Sequence, residues 1–227
     1  RDLHLSLRRQ RQMCIRDWHN YLSLVNTPAL GGLGAKFEIT DGTLSLIKKD
    51  AVLASGSIDN QSDRTAISNA LAKYLSTLDE DVYSPSKNQS IQLVGDGQQG
   101  IFHDTKAGLI TMHSAESIQS LGEAFGDEHL NETRFRSNIV IDGVEPFEEL
   151  GWTGRNILIG QTEFEVVKPV VRCLATHVNP TEGIRDLPIM ETLIEHFGQE
   201  IPQLAIQLKV AEFGRAKIKI GDTLKVL

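Results

Sequence analysis

The sequence predicts a β-rich α+β protein, a barrel with flanking helices. Three observations carry this. Short alternating apolar runs are punctuated by Gly, Asp and Pro, three other segments carry a 3.6-residue apolar period, and the two kinds of segment do not alternate regularly. The last point disfavours a doubly wound parallel sheet.

The elements follow in chain order. Phe37 and Ile39 alternate with polar residues, Asp41-Gly42 supplies a turn, and Leu44 and Leu46 resume the alternation. Asp-Gly accepts the positive φ angles of a type I′ turn, so a two-residue hairpin is expected here. A helix over 64–78 places Ile67, Leu71, Tyr74 or Leu75, and Leu78 on one face, with Ser62 or Asp63 as its cap. Further strands are expected at Ile91–Val94, Asn138–Ile141, Ile157–Ile159, Glu163–Val167 and Ala205–Val210. A second helix follows Ser114 and carries Ile118, Leu121 and Phe125. A third starts at Asp186 with Pro188 in its first turn, carries Ile189, Leu193, Ile194 and Phe197, and stops at Gly198. A closing hairpin pairs Ile218 and Ile220 with Leu224 and Val226 around Gly221-Asp222. The Tyr83–Ser90 stretch, with Ser, Pro, Lys and Asn, reads as a loop and a subdomain border.

Composition narrows the function classes. The 227 residues can bury a substantial core, and 40% hydrophobic with 23% charged residues is ordinary for a soluble protein. No apolar run reaches the roughly 20 residues of a spanning helix, so no membrane role is expected. With 30 acidic against 23 basic side chains the net charge is −7, which disfavours nucleic acid and anionic lipid as partners. An anionic ligand must therefore meet a local basic cluster. The two cysteines, Cys14 and Cys173, form no disulfide framework or metal cage, and a reducing cytoplasm fits best. Residues 1–17 crowd arginines without a helical or strand period, and are read as a translated linker or sequencing scar rather than a transit peptide.

One motif fails on context. Gly95-Asp96-Gly97-Gln98-Gln99-Gly100 satisfies G-x-G-x-x-G after a strand-like run, but Ile101-Phe102-His103-Asp104 has no helical continuation to hold a pyrophosphate, so a turn is expected. The histidines offer no metal-ligand spacing, and His103, His113 and His177 read as loop or core residues.

Three segments of the C-terminal half carry cationic and sulfur chemistry. In Arg134-Phe135-Arg136-Ser137-Asn138, two arginines at alternate positions would share one side of an extended chain and could grip an oxyanion, or could be solvated rim residues. Lys168-Pro169-Val170-Val171-Arg172-Cys173 ends an apolar strand in a Pro-marked bend. Cations beside the thiol would favour thiolate, although a lone Cys there is more often a small buried hydrophobe. Val178-Asn179-Pro180-Thr181-Glu182-Gly183-Ile184-Arg185-Asp186 is a loop ending on a helix cap, either a site wall or a connection.

In order and spacing, Arg134-Phe135-Arg136-x-Asn138, Gly151-Trp152, Gly160, Lys168-Pro169-x-x-Arg172-Cys173, Thr176 and Val178-Asn179-Pro180-x-x-Gly183-x-Arg185-Asp186 resemble the signature of MOSC domains. The closing Ile220-Gly221-Asp222 is similar to the family's C-terminal end, and residues 22–46 with the helix at 64–78 resemble the latter part of the β-barrel that precedes such domains. The resemblance implies a MOSC-type β-barrel over 106–227, an incomplete N-terminal barrel over 18–105, and a molybdenum cofactor, the metal bound to molybdopterin. It further implies Cys173 as catalytic residue and metal ligand, Arg134 or Arg136 and Asn138 on the pterin and its polar tail, Ser114 near the cofactor, and Lys168, Arg172 and Thr176 lining the metal pocket. Family-level association extends to pyridoxal phosphate binding. The sequence departs from the pattern in two places. The family's earlier Pro-Val-Lys-Ser-like strand, which grips the pterin phosphate, has no counterpart, and Gln203-Leu204-Ala205-Ile206 stands where the family more often has a Gly-containing aromatic pattern.

The expected activity is reduction of N-hydroxylated small molecules by an oxidoreductase fed by a separate electron donor, a ferredoxin-, flavodoxin- or cytochrome-like protein. The alternatives are sulfur transfer in cofactor sulfuration, with a persulfide on Cys173 and a sulfur donor as partner, and a non-catalytic small-ligand binding module.

Overall fold

The computed structural model describes residues 22–78, 91–93, 108–211 and 217–227. The chain divides into two compact units, Arg1–Lys106 with Val178–Asp186, and Ala107–His177 with Leu187–Leu227. The N-terminal segment with Cys14, the 83–90 loop, the glycine motif at 95–100 and His103 lie outside the described residues.

In the first unit, β1 (Gly34–Glu38), β2 (Thr43–Lys48) and β3 (Ala51–Ser57) form an antiparallel sheet in sequence order. Helix α1 (Gln61–Ser76) lays Ile67, Leu71 and Leu75 against Leu44 and Leu46 of β2, the inward set that its 3.6 period and the strand's alternation select. Three local expectations change. Glu38 pairs with Thr43, so Ile39–Gly42 is a four-residue loop and not a two-residue type I′ turn. Only Gly42 has positive φ there, at 68°, while the Asp41 carboxylate accepts from the Thr43 N–H at 3.0 Å. The cap of α1 is Asn60, whose Oδ1 accepts from the backbone N–H groups of Ser62 and Asp63 at 2.8 and 3.2 Å; Asp63 instead accepts from Ser57 N at 2.9 Å. Ile91–Leu93 is not a strand. Leu93 donates to Ser68 Oγ and accepts from Arg64, at 2.9 and 2.7 Å, so side chains of α1 supply the partners a ladder would have given.

The second unit is built on a six-stranded sheet of order β5-β4-β8-β7-β6-β9, with β4 (Ile110–Ser114), β5 (Ile139–Ile141), β6 (Asn156–Ile159), β7 (Thr162–Val171), β8 (Gln203–Val210) and β9 (Leu224–Val226). Only β4 and β5 run parallel. Ile139 and Ile141 of β5 and Leu224 and Val226 of β9 occupy opposite edges yet pack on one cluster of Met112, Ile157, Phe164, Val166, Ile206 and Leu208. A flat sheet would hold those edges about 24 Å apart, so the sheet curls. Helices α2 (Ala115–Ala124) and α3 (Ile189–Glu195) bury Ile118, Leu121, Ile189 and Leu193 on Val170 and Leu204 of the same sheet.

The fold is thus β-rich α+β, as expected, with corrections of detail. Pro169 does not end its strand. β7 runs through it, with register shifts against β8 at Val166/Lys168 and Pro169/Val171, where a residue lacking an N–H costs no ladder bond. β9 pairs with β6 rather than with Ile218 and Ile220, which form no strand and are exposed. α3 starts at Ile189 after Pro188, and Asp186 accepts from Asn179 Nδ2 at 2.7 Å instead of capping it. Ile194, expected on the apolar face of α3, is exposed.

Candidate functional site

Two short turns of the second unit gather most of the expected site residues. The 3-10 turn Glu132–Phe135 precedes β5, and the 3-10 turn Leu174–His177 follows β7. Arg134 is buried and its Nη1 donates to Thr176 O at 3.4 Å, while the buried Arg172 donates from Nη1 to Phe135 O at 3.2 Å and lies 5.4 Å over the Phe135 ring. The first turn thus supplies a guanidinium to a carbonyl of the second, and Arg172, just before the second, supplies one to a carbonyl of the first. Charge-assisted bonds of this kind are among the stronger ones a loop can use. Because Glu132–Phe135 is a 3-10 turn and Arg136 is left-handed at φ 55°, Arg134 and Arg136 do not share one side of an extended chain.

Cys173 opens the second turn. Its carbonyl accepts from both the N–H and the hydroxyl of Thr176 at 2.9 Å, and its thiol is free and exposed. The expectation of a small buried hydrophobe is therefore not met. The backbone is pinned by Thr176 and by Arg172 N, which donates to Pro202 O at 2.8 Å, so the sulfur stands on a fixed support.

Strand alternation places a second group. Met112 of β4 and Ile206 and Leu208 of β8 face the sheet's apolar cluster, so Thr111, His113 and Gln207 face the other side. Thr111 pairs with Gln207, and Gln207 with Lys168, so three side chains line one row across three strands. Asn138 extends it, its Oδ1 accepting from the N–H and hydroxyl of Thr111 at 2.9 and 3.0 Å. Lys168 and Asn138 are exposed, and Gln207 is buried. Nε and Nη2 of the half-buried Arg136, and Gln207 Oε1, are enclosed without a hydrogen-bond partner.

The structure does not bring Ser114 to these groups. It lies on the apolar side of β4, fully buried, where its Oγ caps α2 by accepting from Ser117 N at 3.1 Å. The fully buried Glu149 accepts from Ser114 N, Ser114 Oγ and Ser117 Oγ at 3.0–3.2 Å.

Gln207 and Glu149 were not singled out by the sequence, whereas His113 is the core histidine expected there. His113 is 1% exposed, with Nε2 3.6 Å from a Glu132 carboxylate oxygen and its ring edge-on to Phe135. Burial holds its pKa below the usual 6.5, a shift opposed by Glu132 and assisted by Arg172. His177 accepts from Met190 N at 3.2 Å and lies 3.3 Å from Glu191. A polar residue between core residues, as in Ala205-Ile206-Gln207-Leu208, marks the opposite face of a strand but says nothing of whether that face is covered. Among the described residues no cluster of three or more His, Cys, Asp or Glu could hold a metal ion by itself, and no helix is long and apolar enough to cross a membrane.

Comparison with known proteins bears on this arrangement. The MOSC domain model matches residues 99–225, more than half of the chain. Over 122 residues the chain is 31% identical to mouse mitochondrial amidoxime-reducing component 1, covering 50% of this chain and 35% of that protein. It is 30% identical over 152 residues to molybdenum cofactor sulfurase of Drosophila grimshawi, covering 63% of this chain and 17% of the relative. It is 29% identical over 92 residues to that of Anopheles gambiae, covering 40% and 12%. The aligned regions thus span between an eighth and about a third of these relatives' length. With the family model covering β4 to β8, reaching into β9 and spanning the segments that carry Arg134, Arg172 and Cys173, the chain belongs to the MOSC domain family.

Proposed function

We propose that this chain holds a molybdenum cofactor and works as an oxidoreductase on N-oxygenated small molecules, with Cys173 as the protein's ligand to the metal. The observation that carries the reading is the exposed thiol of Cys173 on a backbone pinned by Thr176 and Arg172. A soft thiolate suits a metal already held by dithiolene sulfur. The described residues offer no protein cage, and a cofactor that brings its own sulfur ligands needs only one from the chain.

The remaining residues fit an anionic, polar cofactor. Arg136 has two enclosed guanidinium nitrogens with donor capacity to spare, Asn138 is exposed beside it, and Lys168 projects from the same sheet. These would hold the pterin and its tail, while Arg134, Arg172 and Thr176 brace the two turns. When bound, such a cofactor supplies two-electron chemistry at its metal. Electrons would arrive from a separate ferredoxin-, flavodoxin- or cytochrome-like donor. The name of the mouse relative, an amidoxime-reducing component, supports this choice of reaction.

A second reading is favoured by the sulfurase relatives: the same exposed thiol would take sulfane sulfur from a separate persulfide donor, releasing that donor's thiol, and hold it for transfer to a cofactor. The two separate on one preparation, the chain purified from a host that makes molybdenum cofactor. The oxidoreductase reading expects molybdenum and pterin near one equivalent, benzamidoxime reduction with a chemical electron donor, and loss of at least a hundredfold in that rate in Cys173→Ala. Undiminished reduction by Cys173→Ala would overturn metal ligation. A persulfide on Cys173 with no molybdenum would favour sulfur transfer.

A further inference from the structure

Gln207 sits mid-strand in β8 and is 3% exposed, yet its Oε1 accepts no hydrogen bond. A buried carbonyl without a partner costs about 1–3 kcal/mol, enough that most proteins place an apolar residue there or supply a donor. Neither neighbour in register supplies one. The Thr111 hydroxyl is directed to Asn138 Oδ1 at 3.0 Å and Arg136 O at 3.5 Å, and Lys168 is exposed. Thr111 also ties this acceptor to a complementary group, because the Arg136 carbonyl it meets belongs to the residue whose Nε and Nη2 are enclosed and unbonded. Gln207 thus pairs in register with the threonine whose hydroxyl reaches the backbone of Arg136.

We propose that Gln207 is a ligand contact, its Oε1 accepting from a ring N–H of the pterin, with Arg136 as the donor partner. The inference rests on the cofactor reading above. Distance selects the ring over a substrate at the metal. Val171 pairs with Gln203, so Gln207 lies four residues along β8 from that point and Cys173 two beyond it in the other sense. At about 3.3 Å per residue that separates the two backbones by roughly 13–20 Å. A small molecule reacting at a metal on Sγ does not span that gap, whereas a cofactor extends away from its metal through a fused ring system whose pyrimidine edge carries N–H donors.

The test uses the chain produced in a cofactor-making host, comparing wild type with Gln207→Met, which keeps the size and removes the acceptor, and Gln207→Glu, which keeps an acceptor oxygen. Molybdenum and oxidised pterin are measured per chain after dialysis, and the Tm of the cofactor-free form is recorded for each. Expected are about tenfold weaker retention in Gln207→Met, retention nearer wild type in Gln207→Glu, and a cofactor-free Tm in Gln207→Met equal to or above wild type. Unchanged retention in Gln207→Met, or a loss matched by a lower cofactor-free Tm, overturns the assignment while leaving the cofactor reading standing. A folded wild-type chain with neither molybdenum nor pterin overturns that reading and this one with it.

Discussion

His113 illustrates how one residue's environment sets its chemistry. Its ring is enclosed, with a Glu132 carboxylate oxygen at 3.6 Å as countercharge and Arg172 contributing like charge. The folded protein therefore disfavours the imidazolium. With the folded pKa below the unfolded 6.5, the stability contributed by neutral His113 is complete above about pH 6.5 and is lost as pH falls from there through the folded pKa, because the unfolded chain then binds a proton the native one resists. Urea midpoints measured from pH 7.5 down to 5 are expected to fall on the acid side, and His113→Leu to flatten that slope; an unchanged slope would place the acid sensitivity elsewhere. Ala205 marks a different constraint. It adopts φ 74° while fully buried in β8, a backbone state that side chains rarely take, and it stands within the stretch where the family more often carries glycine.

Among the elements, α2 depends on a residue far from it in sequence. Its N-terminal turn is closed by Ser114 and Ser117, and both hydroxyls converge on Glu149, which arrives with the 3-10 turn Glu148–Trp152. A carboxylate suits the positive end of a helix dipole, and here water is excluded from it. Glu149→Ala leaves Ser114 N and two hydroxyls without their acceptor, and a loss of about 3 kcal/mol in urea unfolding is expected. A loss under about 1 kcal/mol would mean that solvent enters and replaces the carboxylate. The periodicity of α2 was legible in Ile118 and Leu121, as was its start just after Ser114. That Ser114 serves the helix rather than facing the row of Asn138, Thr111, Gln207 and Lys168 follows from its side of β4, which depends on pairing with β5 and β8.

For the molecule as a whole, Val178–Asp186 is a segment whose sequence position and packing partners differ. It follows the turn of Cys173 in the chain but packs within the first unit. Its Val178–Arg185 bridge is closed by Asn179, which accepts on Oδ1 from Thr181 N and Glu182 N at 2.9 and 3.1 Å, and Arg185 donates to Val25 O. Gly183 makes the approach possible. Its φ is 73°, and a Cβ there would stand 2.9 Å from Ala29 O and 3.0 Å from Ala29 Cα and Gly32 N, all backbone that cannot step aside. Gly183→Ala is expected to cost about 2 kcal/mol or more, read as a lower unfolding midpoint. A neutral effect would show that the loop detaches from the Pro28–Gly32 turn without penalty.

What depends on near neighbours is written in the sequence: the alternation of β1 and β2, the buried stripes of α1 and α2, and the order of motifs that identifies the family. These are legible because side-chain direction repeats every two residues in a strand and every 3.6 in a helix. Tertiary structure alone decided that β9 pairs with β6, that β7 continues through Pro169, that Arg134 and Arg172 are buried braces between two turns, and that Gln207 is covered. The reason is that alternation assigns a residue to one of two faces, whereas what lies over that face is set by strand pairing and chain crossing between segments tens of residues apart.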